Sequence, residues 1–437
     1  MPKQQKTGLI WFTKNLRVLD NYTLQKAVAD NNKLIGIFFF DPREFEPTPH
    51  GFKKTERYRA KFLLESVIQL RDSLKDLNIS LWVAHDKPEE TLPELVNRFH
   101  IKSIYLQKEW TREEVDALLG VQKRLPAHIE IVEILDQFLF HPDDIPFTEM
   151  TIPKVFTDFR KACEKKAFVR PEAIKVNPLP KSNLLPYTPE LPTLEELGFQ
   201  SFEKDVRSAF PFGGGEKEAQ KRLNNYFFKT KRIGFYKKTR NGLLGTQYSS
   251  KFSPWLSNGC LSARQVYWNV LDFEKQYYKN QSTYWLIFEL IWRDYFKYIS
   301  LKYRDKIFMQ GGILQKKYTW DNNQKVFHSW INGTTKEPFV NANMLELKFS
   351  GWMSNRGRQN VASYLAKDLQ IDWRLGAAYF EAMLLDYDVH SNYGNWMYVA
   401  GVGNDPRDRK FNVRLQSERY DPSGKYQNIW LQKTLFE

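Results

Sequence analysis

The sequence predicts two domains of different class, an N-terminal doubly wound α/β domain and a C-terminal domain that is all-helical. The chain of 437 residues exceeds the roughly 250–300 residues that a single hydrophobic core usually serves. Its first third alternates short apolar runs with helical patterns, as a parallel sheet with crossover helices does. Its last half is mostly helical in pattern and rich in aromatic residues. We therefore expect an α/β domain over residues 1–135, a connector over 136–205 and a helical domain over 206–437.

Five short runs rich in Ile, Val and aromatic residues predict a five-stranded parallel sheet, because strands buried on both faces are apolar throughout. These runs are Gly8–Phe12, Leu34–Phe40, Ile79–Ala84, Ser103–Gln107 and Ile129–Leu135. The clearest helix between them is predicted over Thr55–Leu77, where apolar residues recur on one face. The turn after the first strand, residues 13–21, lacks the glycine-rich fingerprint of a dinucleotide site. This domain is therefore not expected to bind a dinucleotide.

The connector is predicted from nine prolines between residues 136 and 205, which break any long helix. We expect it to wrap over the surface, with one short helix near Val155–Lys165. From Gly215 to Phe436 the pattern is mostly helical.

The composition favours a nucleic-acid partner. Lys and Arg number 65 against 51 Asp and Glu, a net charge of +14 with a pI near 9.4. The alternative is a basic protein whose charge only keeps it soluble.

Two cysteines are too few for a disulfide framework or an iron–sulfur cluster, and the seven histidines are scattered, so no metal site is predicted. No apolar run approaches a membrane span, and Met1 to Thr7 is too short and polar for a signal peptide. We expect a cytoplasmic protein.

The helical half contains three groups of residues that indicate chemistry. A turn at Ser249, Ser250, Lys251, Phe252 and Ser253 offers hydroxyls, an ammonium and N–H groups, which a pyrophosphate needs; the alternative is an ordinary Ser-rich helix cap. A second group has two carboxylates and two amides, which are costly to bury without a polar partner: Asp386, Asp388, Asn392 and Asn395. A solvated turn or a metal-binding loop would also explain this cluster. Glu289 and Trp292 are three residues apart, so on a helix they lie on the same face and can line one pocket. The alternative is that Glu289 only forms a salt bridge with Arg293.

Several segments in order closely resemble the photolyase/cryptochrome family, and specifically its cryptochrome DASH branch. The resemblance covers nearly the whole chain, and it is clearest in residues 11–21, 236–262, 282–295, 351–360 and 386–398. The resemblance implies a U-shaped FAD in the helical domain, and a role in flavin binding for these residues: Tyr236, Ser249, Ser250, Lys251, Phe252, Ser253, Arg293, Arg358, Asp386, Asp388 and Asn392. It places Asn392 beside flavin N5, pairs Asp386 with Arg358, and closes Tyr236 over the phosphates.

The resemblance also implies a pocket for a flipped pyrimidine dimer, formed by Glu289, Trp292, Asn355, Gln359 and Tyr398. Trp292 would be its aromatic wall and Glu289 the group that holds a dimer carbonyl. Tyr398 and Gln359 stand where duplex-repairing relatives commonly carry Trp and Met, which indicates a weaker grip and a preference for single strands. Ser354 and Asn355 replace the adjacent histidines of six-four photolyases, which argues against six-four chemistry.

Three tryptophans, Trp396, Trp373 and Trp320, match the family's electron-transfer chain, although each one alone is explained by core packing. The resemblance further suggests methenyltetrahydrofolate as an antenna that contacts Glu109; this residue also suits the capping of a helix that starts at Arg112. Basic residues near the motifs are our candidates for DNA contacts: Arg232, Arg240, Arg356, Arg409 and Lys410.

The function expected from these residues is blue-light-dependent repair of cyclobutane pyrimidine dimers in single-stranded DNA, by a monomer carrying FAD. A second hypothesis is a blue-light photoreceptor that binds DNA or a regulator without significant repair. A third, a flavin oxidoreductase that works in the dark, lacks any nicotinamide fingerprint in the sequence.

Overall fold

The N-terminal domain is a five-stranded, all-parallel sheet with helices on both faces. The computed structural model describes residues 6–405 and 407–432. The strands are β1 (Thr7–Trp11), β2 (Lys33–Phe39), β3 (Ser80–Ala84), β4 (Ile101–Gln107) and β5 (Glu130–Ile134), and their order in the sheet is β3-β2-β1-β4-β5. The predicted sheet is therefore confirmed. The strand order reverses at β1, so the carboxyl ends of β1 and β4 form the crevice where α/β sheets usually bind ligands.

Four helices cover the sheet: α1 (Tyr22–Asp30), α2 (Arg57–Asp76), α3 (Pro88–Arg98) and α4 (Arg112–Arg124). Alternate residues of β1 point to different cores. Leu9 and Trp11 belong to a separate core that also contains Leu92 and Val121 of α3 and α4. Ile10 lies on the other face, in a core that continues into the helical domain. The two domains therefore share one continuous apolar interior.

The connector carries one α-helix, α5 (Phe156–Lys166), close to its predicted position. The helical domain contains α6 (Glu216–Asn224), α7 (Tyr236–Thr239), α8 (Ser253–Ser257), α9 (Ala263–Gln276), α10 (Gln281–Tyr303), α11 (Gln324–Ile331), α12 (Pro338–Ser350), α13 (Asn355–Ser363), α14 (Trp373–Met383), α15 (Val389–Ala400), α16 (Val413–Tyr420) and α17 (Lys425–Leu431). The predicted helical domain is confirmed over the described residues. Residues 1–5 and 433–437, at the outer ends of the two predicted domains, lie outside the described residues. The segment considered for a signal peptide, Met1 to Thr7, therefore lies mostly outside them as well.

Two expectations about burial are corrected. The strand β5 is a half-exposed edge strand, not a buried one, because only β4 pairs with it. The connector begins inside the molecule: Leu139 and Phe140 are buried, and their N–H groups donate to the buried Asp294 carboxylate of α10 over 2.8–3.0 Å. Burial raises the pKa of Asp294 to about 6. The connector thus packs under α10 before it reaches the surface.

The two domains are joined by a buried cluster of four charged residues. Arg264 of α9 contacts Asp136 over 2.6 Å and Asp20 over 3.0 Å, and Arg17 contacts Asp136 over 3.1 Å. Close by, Gly259 has a φ of +70°, and a Cβ at this position would collide with the Lys14 carbonyl. Charge pairing and close backbone approach therefore fix the turn after β1 against the helical domain.

Candidate cofactor and substrate site

A cavity with two lobes lies within the helical domain, and α10 lines both lobes. The first lobe has a volume of about 260 Å³ and the second about 390 Å³. Both lobes are lined by Arg240, Glu289, Arg293, Asn355, Arg358, Asp386, Asp388 and Ser391. The shared lining makes the two lobes one continuous site.

The first lobe is bounded by the Ser-rich turn, which precedes α8. Its backbone is held by Arg222 of α6, which donates to the carbonyl oxygens of Ser250, Ser249 and Thr246, each over 3.0 Å. Arg222 is buried and makes no ion pair with an acidic residue in the described ranges, and burial lowers its pKa to about 10. Sequence reasoning missed this residue, because it lies 24 residues or more before the turn. Ser250 and Phe252 are buried, whereas Ser253 is exposed at the start of α8.

Lys251, in the same turn, is a buried cation without a hydrogen-bond partner among the described residues. Its side chain is only 2% exposed, and its Nζ lies 3.3 Å from the ring centre of Tyr248 and 4.4 Å from that of Trp352. Burial, with the positive charges of Arg222 and Arg358 nearby, holds the pKa of Lys251 well below its ordinary value. Its φ of +65° is unusual for a residue with a side chain. Such a group is well placed to meet an anion in the cavity, because an anion favours the protonated amine.

The acidic cluster lies where the two lobes meet. Arg358 of α13 contacts Asp386 over 2.9 Å, and the other Asp386 oxygen has no partner within the described chain. Asp388 caps α15 by accepting from the Ser391 N–H, and it contacts Lys297 over 3.2 Å. Although burial alone would raise it, Lys297 and His390 hold the pKa of Asp388 well below its ordinary value. Lys297 was not predicted from the sequence.

The amides of this cluster separate in the structure. Asn392 is buried on α15 and donates to the Ala377 carbonyl over 3.0 Å. Asn395 is exposed one turn later, and its amide donates to the Ser391 carbonyl. The four residues therefore do not share one loop: Asp386 and Asp388 precede α15, and Asn392 and Asn395 lie on it.

The second lobe brings the five predicted pocket residues together. Glu289, Trp292, Asn355, Gln359 and Tyr398 all line it. Glu289 pairs with Arg240 over 3.0 Å, and burial raises the pKa of Glu289. The alternative partner, Arg293, instead donates to the carbonyls of Gln137 and Leu256. That alternative is therefore wrong, and Arg293 ties α10 to the connector and to α8.

The predicted aromatic wall consists of two stacked rings. Trp292 lies on Phe156 of α5 with ring centres 3.6 Å apart and planes 10° apart. Tyr398 meets Trp292 edge-on at 6.1 Å, and Gln359 has a buried Oε1 without a partner in the described chain. Phe156 comes from the connector, which sequence reasoning assigned to the surface.

The three predicted electron-transfer tryptophans lie on adjoining elements. Trp396 lines the second lobe and is buried, with an indole N–H that has no partner among the described residues. Trp373 is buried at the start of α14 and donates to the Gln310 carbonyl. Trp320 is half-buried, and the next residue bonds to the backbone just before α14. Trp330, which we did not single out, meets Trp396 at 6.3 Å.

A larger cavity of about 570 Å³ lies between the domains, at the carboxyl ends of β1 and β4. Glu109 lines it, accepts from Gln107 over 2.7 Å and lies 3.9 Å from His390 of α15. The alternative that Glu109 caps α4 is wrong, because Thr111 occupies the N-cap position. Burial raises the pKa of two other glutamates on this cavity, Glu114 and Glu381, to about 7.

Most of the basic residues nominated for DNA contacts have other partners. Arg409 pairs with Asp405 over 3.3 Å, Lys410 with Asp368 over 2.7 Å, and Arg240 with Glu289 inside the cavity. Arg356 is half-buried over the Tyr420 ring. Arg232 is exposed and makes no ion pair with any residue in the described ranges.

The cavity fits FAD. Four buried polar atoms on its lining have no hydrogen-bond partner within the described chain: the Lys251 ammonium, one Asp386 oxygen, the Gln359 oxygen and the Trp396 indole N–H. A diphosphate and a flavin ring supply acceptors and donors for such groups. Over the same residues, no group of three or more His, Cys, Asp or Glu side chains is arranged to hold a metal ion, and both cysteines are unpaired and buried. No helix there has the length and apolarity that crossing a bilayer requires.

Comparisons with known proteins agree with this geometry. A family model described as DNA photolyase matches residues 8–181, and one described as the FAD binding domain of DNA photolyase matches residues 285–434. Cryptochrome DASH of Gloeobacter violaceus is 46% identical over 98% of this chain and 85% of its own length. Cryptochrome DASH of Xenopus laevis is 45% identical over 95% and 81%. The crystal structure of the Synechocystis cryptochrome superposes with a TM-score of 0.93 at 44% identity, covering 99% and 89%.

Fold and site together define a two-domain flavoprotein of the photolyase type, with FAD in the helical domain. The chain belongs to the photolyase/cryptochrome family and, within it, to the cryptochrome DASH branch. The predicted family, fold class and flavin cofactor are confirmed. The roles of individual residues stay predictions.

Proposed function

We propose that the protein uses blue light to split cyclobutane pyrimidine dimers in single-stranded DNA. The observation that carries this proposal is the second lobe, where Glu289, Trp292, Asn355, Gln359 and Tyr398 share one cavity with Asn392 and Trp396. A substrate pocket that opens directly onto the cofactor residues allows short-range electron transfer. FAD, when bound, supplies the light-excited electron donor.

The residues of this chain would hold FAD in two parts. Lys251 and the hydroxyls of Ser249 and Ser250 would meet the diphosphate in the first lobe. Asp386, fixed by Arg358, and Asn392, fixed by the Ala377 carbonyl, would meet the flavin end. Asp386 and Asn392 are each held in position by another protein group. These side chains therefore need to become little more ordered when the cofactor binds.

In the substrate pocket, the pair formed by Trp292 and Phe156 would support one face of the dimer. Glu289 would hold a base carbonyl edge, with its position set by Arg240 at 3.0 Å. Burial raises the pKa of this carboxyl in spite of Arg240, which makes it easier for the carboxyl to share a proton with a carbonyl oxygen of the dimer. Gln359 and Asn355 would supply the remaining amide contacts.

A preference for single strands follows from what lines the pocket. Tyr398 and Gln359 give a more polar lining than two large apolar side chains would. Less binding energy is then available to pull a dimer out of a base stack. We further propose that the protein acts as a monomer and in the cytoplasm; the names of several relatives, including that of Arabidopsis thaliana, carry the words chloroplastic/mitochondrial.

We also propose that the interdomain cavity binds an antenna chromophore, methenyltetrahydrofolate. Its volume of about 570 Å³ is within the range of small-molecule sites, and its lining joins aromatic rings with the Glu109 carboxylate. Burial would raise the pKa of Glu109, but His390 and Lys297 hold it below its ordinary value. A persistently ionised carboxylate suits an N–H-rich pterin ring.

The test is a repair assay on matched oligonucleotides. One thymine dimer is placed in a single strand and in the same strand annealed to its complement, and each is incubated with reduced protein under blue light or in darkness. We expect restored thymines in the lit single strand, less in the duplex and none in darkness. Absence of repair in the lit single strand, with FAD bound and reduced, would support the photoreceptor hypothesis instead.

A further inference from the structure

A run of positively charged side chains without acidic partners lies in one segment beside the cavity. Residues 229–240, which we call the basic rim, contain Lys and Arg side chains and no acidic residue. Its exposed members, Lys229, Lys231, Arg232 and Lys238, make no ion pair with any residue in the described ranges. By contrast, Arg409 and Lys410 are neutralised by Asp405 and Asp368. The rim is therefore suited to a polyanion.

An exposed aromatic side chain, Phe235, lies in the middle of the basic rim. Half of its surface is exposed, and its ring contacts no other ring in the described chain. Two further aromatics at the end of α9, Tyr277 and Tyr278, are each 41% exposed next to it. Lys231 lies 3.8 Å over the Tyr277 ring, and Tyr278 packs against Gly234. The rim thus combines cations that make no ion pair with aromatic side chains that are partly exposed.

The backbone that carries Phe235 is fixed rather than loose. The Gly234 carbonyl accepts from Asn280 over 3.0 Å, and the Lys237 N–H donates to Ser282 of α10 over 3.2 Å. The next residue, Tyr236, is buried and lines the first lobe of the cavity. One turn later, Arg240 reaches Glu289. Phe235 therefore sits in a defined position beside the entrance to the site.

We propose that the basic rim binds the unpaired strand next to the flipped dimer, with a base stacked on Phe235 and phosphates on Lys231, Arg232 and Lys238. Exposed aromatics among unpaired cations match the alternation of bases and phosphates in a single strand. A duplex has no free base face to offer the ring, so the rim favours single strands for a reason separate from the pocket lining. This inference rests on the proposed function, because it requires that the substrate be DNA.

The test uses undamaged DNA in the dark, which separates it from repair. We compare oligothymidylate with an abasic strand of equal length, binding to wild type, Phe235→Ala, Phe235→Trp and Tyr187→Ala. Tyr187 is the control, since it is 63% exposed but lies in the connector, where it packs against Trp82 of the α/β domain. We expect Phe235→Ala to weaken oligothymidylate binding by about fivefold or more, to leave abasic binding unchanged, and to keep its FAD content. Phe235→Trp should restore binding.

A second arm tests the charges. Replacing Lys231 and Arg232 by Ala should lower the salt dependence of binding, by about 0.7 in the log–log slope for each phosphate that the variant no longer neutralises. The inference is overturned if Phe235→Ala binds oligothymidylate like wild type, or if the abasic strand binds as tightly as oligothymidylate. Weaker binding of oligothymidylate to Phe235→Ala supports strand binding at the basic rim even if the wild-type protein repairs no dimer. A protein without repair activity and a rim that does not bind DNA are therefore distinguished by different measurements.

Discussion

Two buried cations in the same turn region differ in their partners. Arg222 donates to three backbone carbonyls and is fully occupied by protein groups, whereas Lys251 is left with two aromatic rings. Arg222 therefore serves the shape of the turn, and Lys251 is available to the ligand. An amine whose pKa is lowered by burial regains its proton when an anion arrives.

This difference predicts that FAD affinity falls as pH rises. Free protein holds Lys251 with a lowered pKa, and the diphosphate favours the ammonium, so binding takes up a proton. Above the lowered pKa, each rise in pH makes that proton harder to acquire. FAD titrations of the deflavinated protein between mildly acidic and mildly alkaline pH should show this slope. Lys251→Met should bind more weakly and lose the slope.

The control for that titration is Glu346→Gln. Burial raises the pKa of Glu346 to about 7, and Tyr426 donates to it, so this carboxyl titrates in the same range. Because the Glu346 carboxylate raises the pKa of Lys251, Glu346→Gln should move the slope to lower pH, but it keeps a slope if the proton belongs to Lys251. A flat profile in Glu346→Gln would assign the proton to Glu346 instead.

The pair Glu289 and Arg240 predicts a specific defect in dimer splitting. Glu289→Gln keeps the size and one acceptor but removes the charge and the shared proton. Loss of one charge-assisted hydrogen bond, about 1.5–3 kcal/mol, would slow the affected step roughly tenfold or more. Repair per absorbed photon should fall while FAD content and flavin photoreduction stay near wild type. Repair equal to wild type would show that the pocket is assigned wrongly.

Trp292→Ala should instead weaken dimer binding, by about 1–3 kcal/mol if the ring stacks on a base. Because Phe156 backs that ring at 3.6 Å, the variant leaves a cavity under the connector as well. Binding of a dimer-containing strand and thermal stability should be measured together. A loss of stability with normal dimer affinity would give Trp292 a structural role only.

At the scale of elements, α14 and α15 cross closely enough to set the tryptophan positions. Gly376 of α14 faces the Trp396 indole, and a Cβ at this position would collide with it. Trp373 begins the same helix, one turn earlier, and the segment after Trp320 pairs with the backbone before it. Trp396 and Trp373 are buried and Trp320 is half-buried, as a path from the cavity toward the surface requires.

Trp396→Phe should therefore block photoreduction of oxidised FAD by an external donor. The ring is kept for packing, but a phenyl ring is much harder to oxidise than an indole. Repair by protein that was reduced chemically beforehand should be spared, since the indole is needed only to replace the electron. Trp330→Phe is the matched control, because Trp330 also contacts Trp396 but lies off the predicted chain. Loss of both activities in Trp396→Phe would contradict the electron-transfer role.

Elements were more predictable from the sequence than their contacts. The five strands, α2 and α5 were predicted within two residues at most ends, because apolar periodicity is a local property. Tyr236, Ser250, Asp386 and Glu289 were found through motifs that are also local. Their partners were not: Arg222 and Phe156 reach the site from other segments, and Lys297 lies on α10 just after the motif, where its residue type carries no local signal. The surface position predicted for the connector was wrong for its start at residues 136–140 and for anchoring side chains such as Phe156, since prolines show where helices break but not what covers them.

At the scale of the whole molecule, α10 links both cavities and both domains. Glu289 and Trp292 face the second lobe, Asp294 holds the connector, and Lys297 lies between Asp388 and the interdomain cavity. A single helix of 23 residues thus carries the pocket and the domain junction. Relative movement of the domains would disturb both, so the buried charge cluster at the junction has a functional consequence.

The final prediction concerns that cluster. Arg264→Met leaves Asp20 and Asp136 buried with only Arg17 to compensate them, and removal of one partner from a buried ion pair typically costs about 3–5 kcal/mol. The melting temperature should fall accordingly. Arg414→Met is the control, since its pair with Glu418 is on an exposed helix and its side chain is 87% exposed; it should change stability little.

The sign of the pH dependence distinguishes charge burial from a packing defect. Burial already raises the pKa of Asp136 in spite of two arginines, so removing one raises it further. A carboxyl whose pKa is higher in the folded than in the unfolded state binds more protons when the protein is folded. The free energy by which it destabilises the fold therefore grows as pH rises from the unfolded-state pKa to the folded-state pKa. The deficit of Arg264→Met against wild type should therefore be largest at neutral pH and shrink in mild acid. A deficit independent of pH would mean that the arginine acts through its packing, not through its charge.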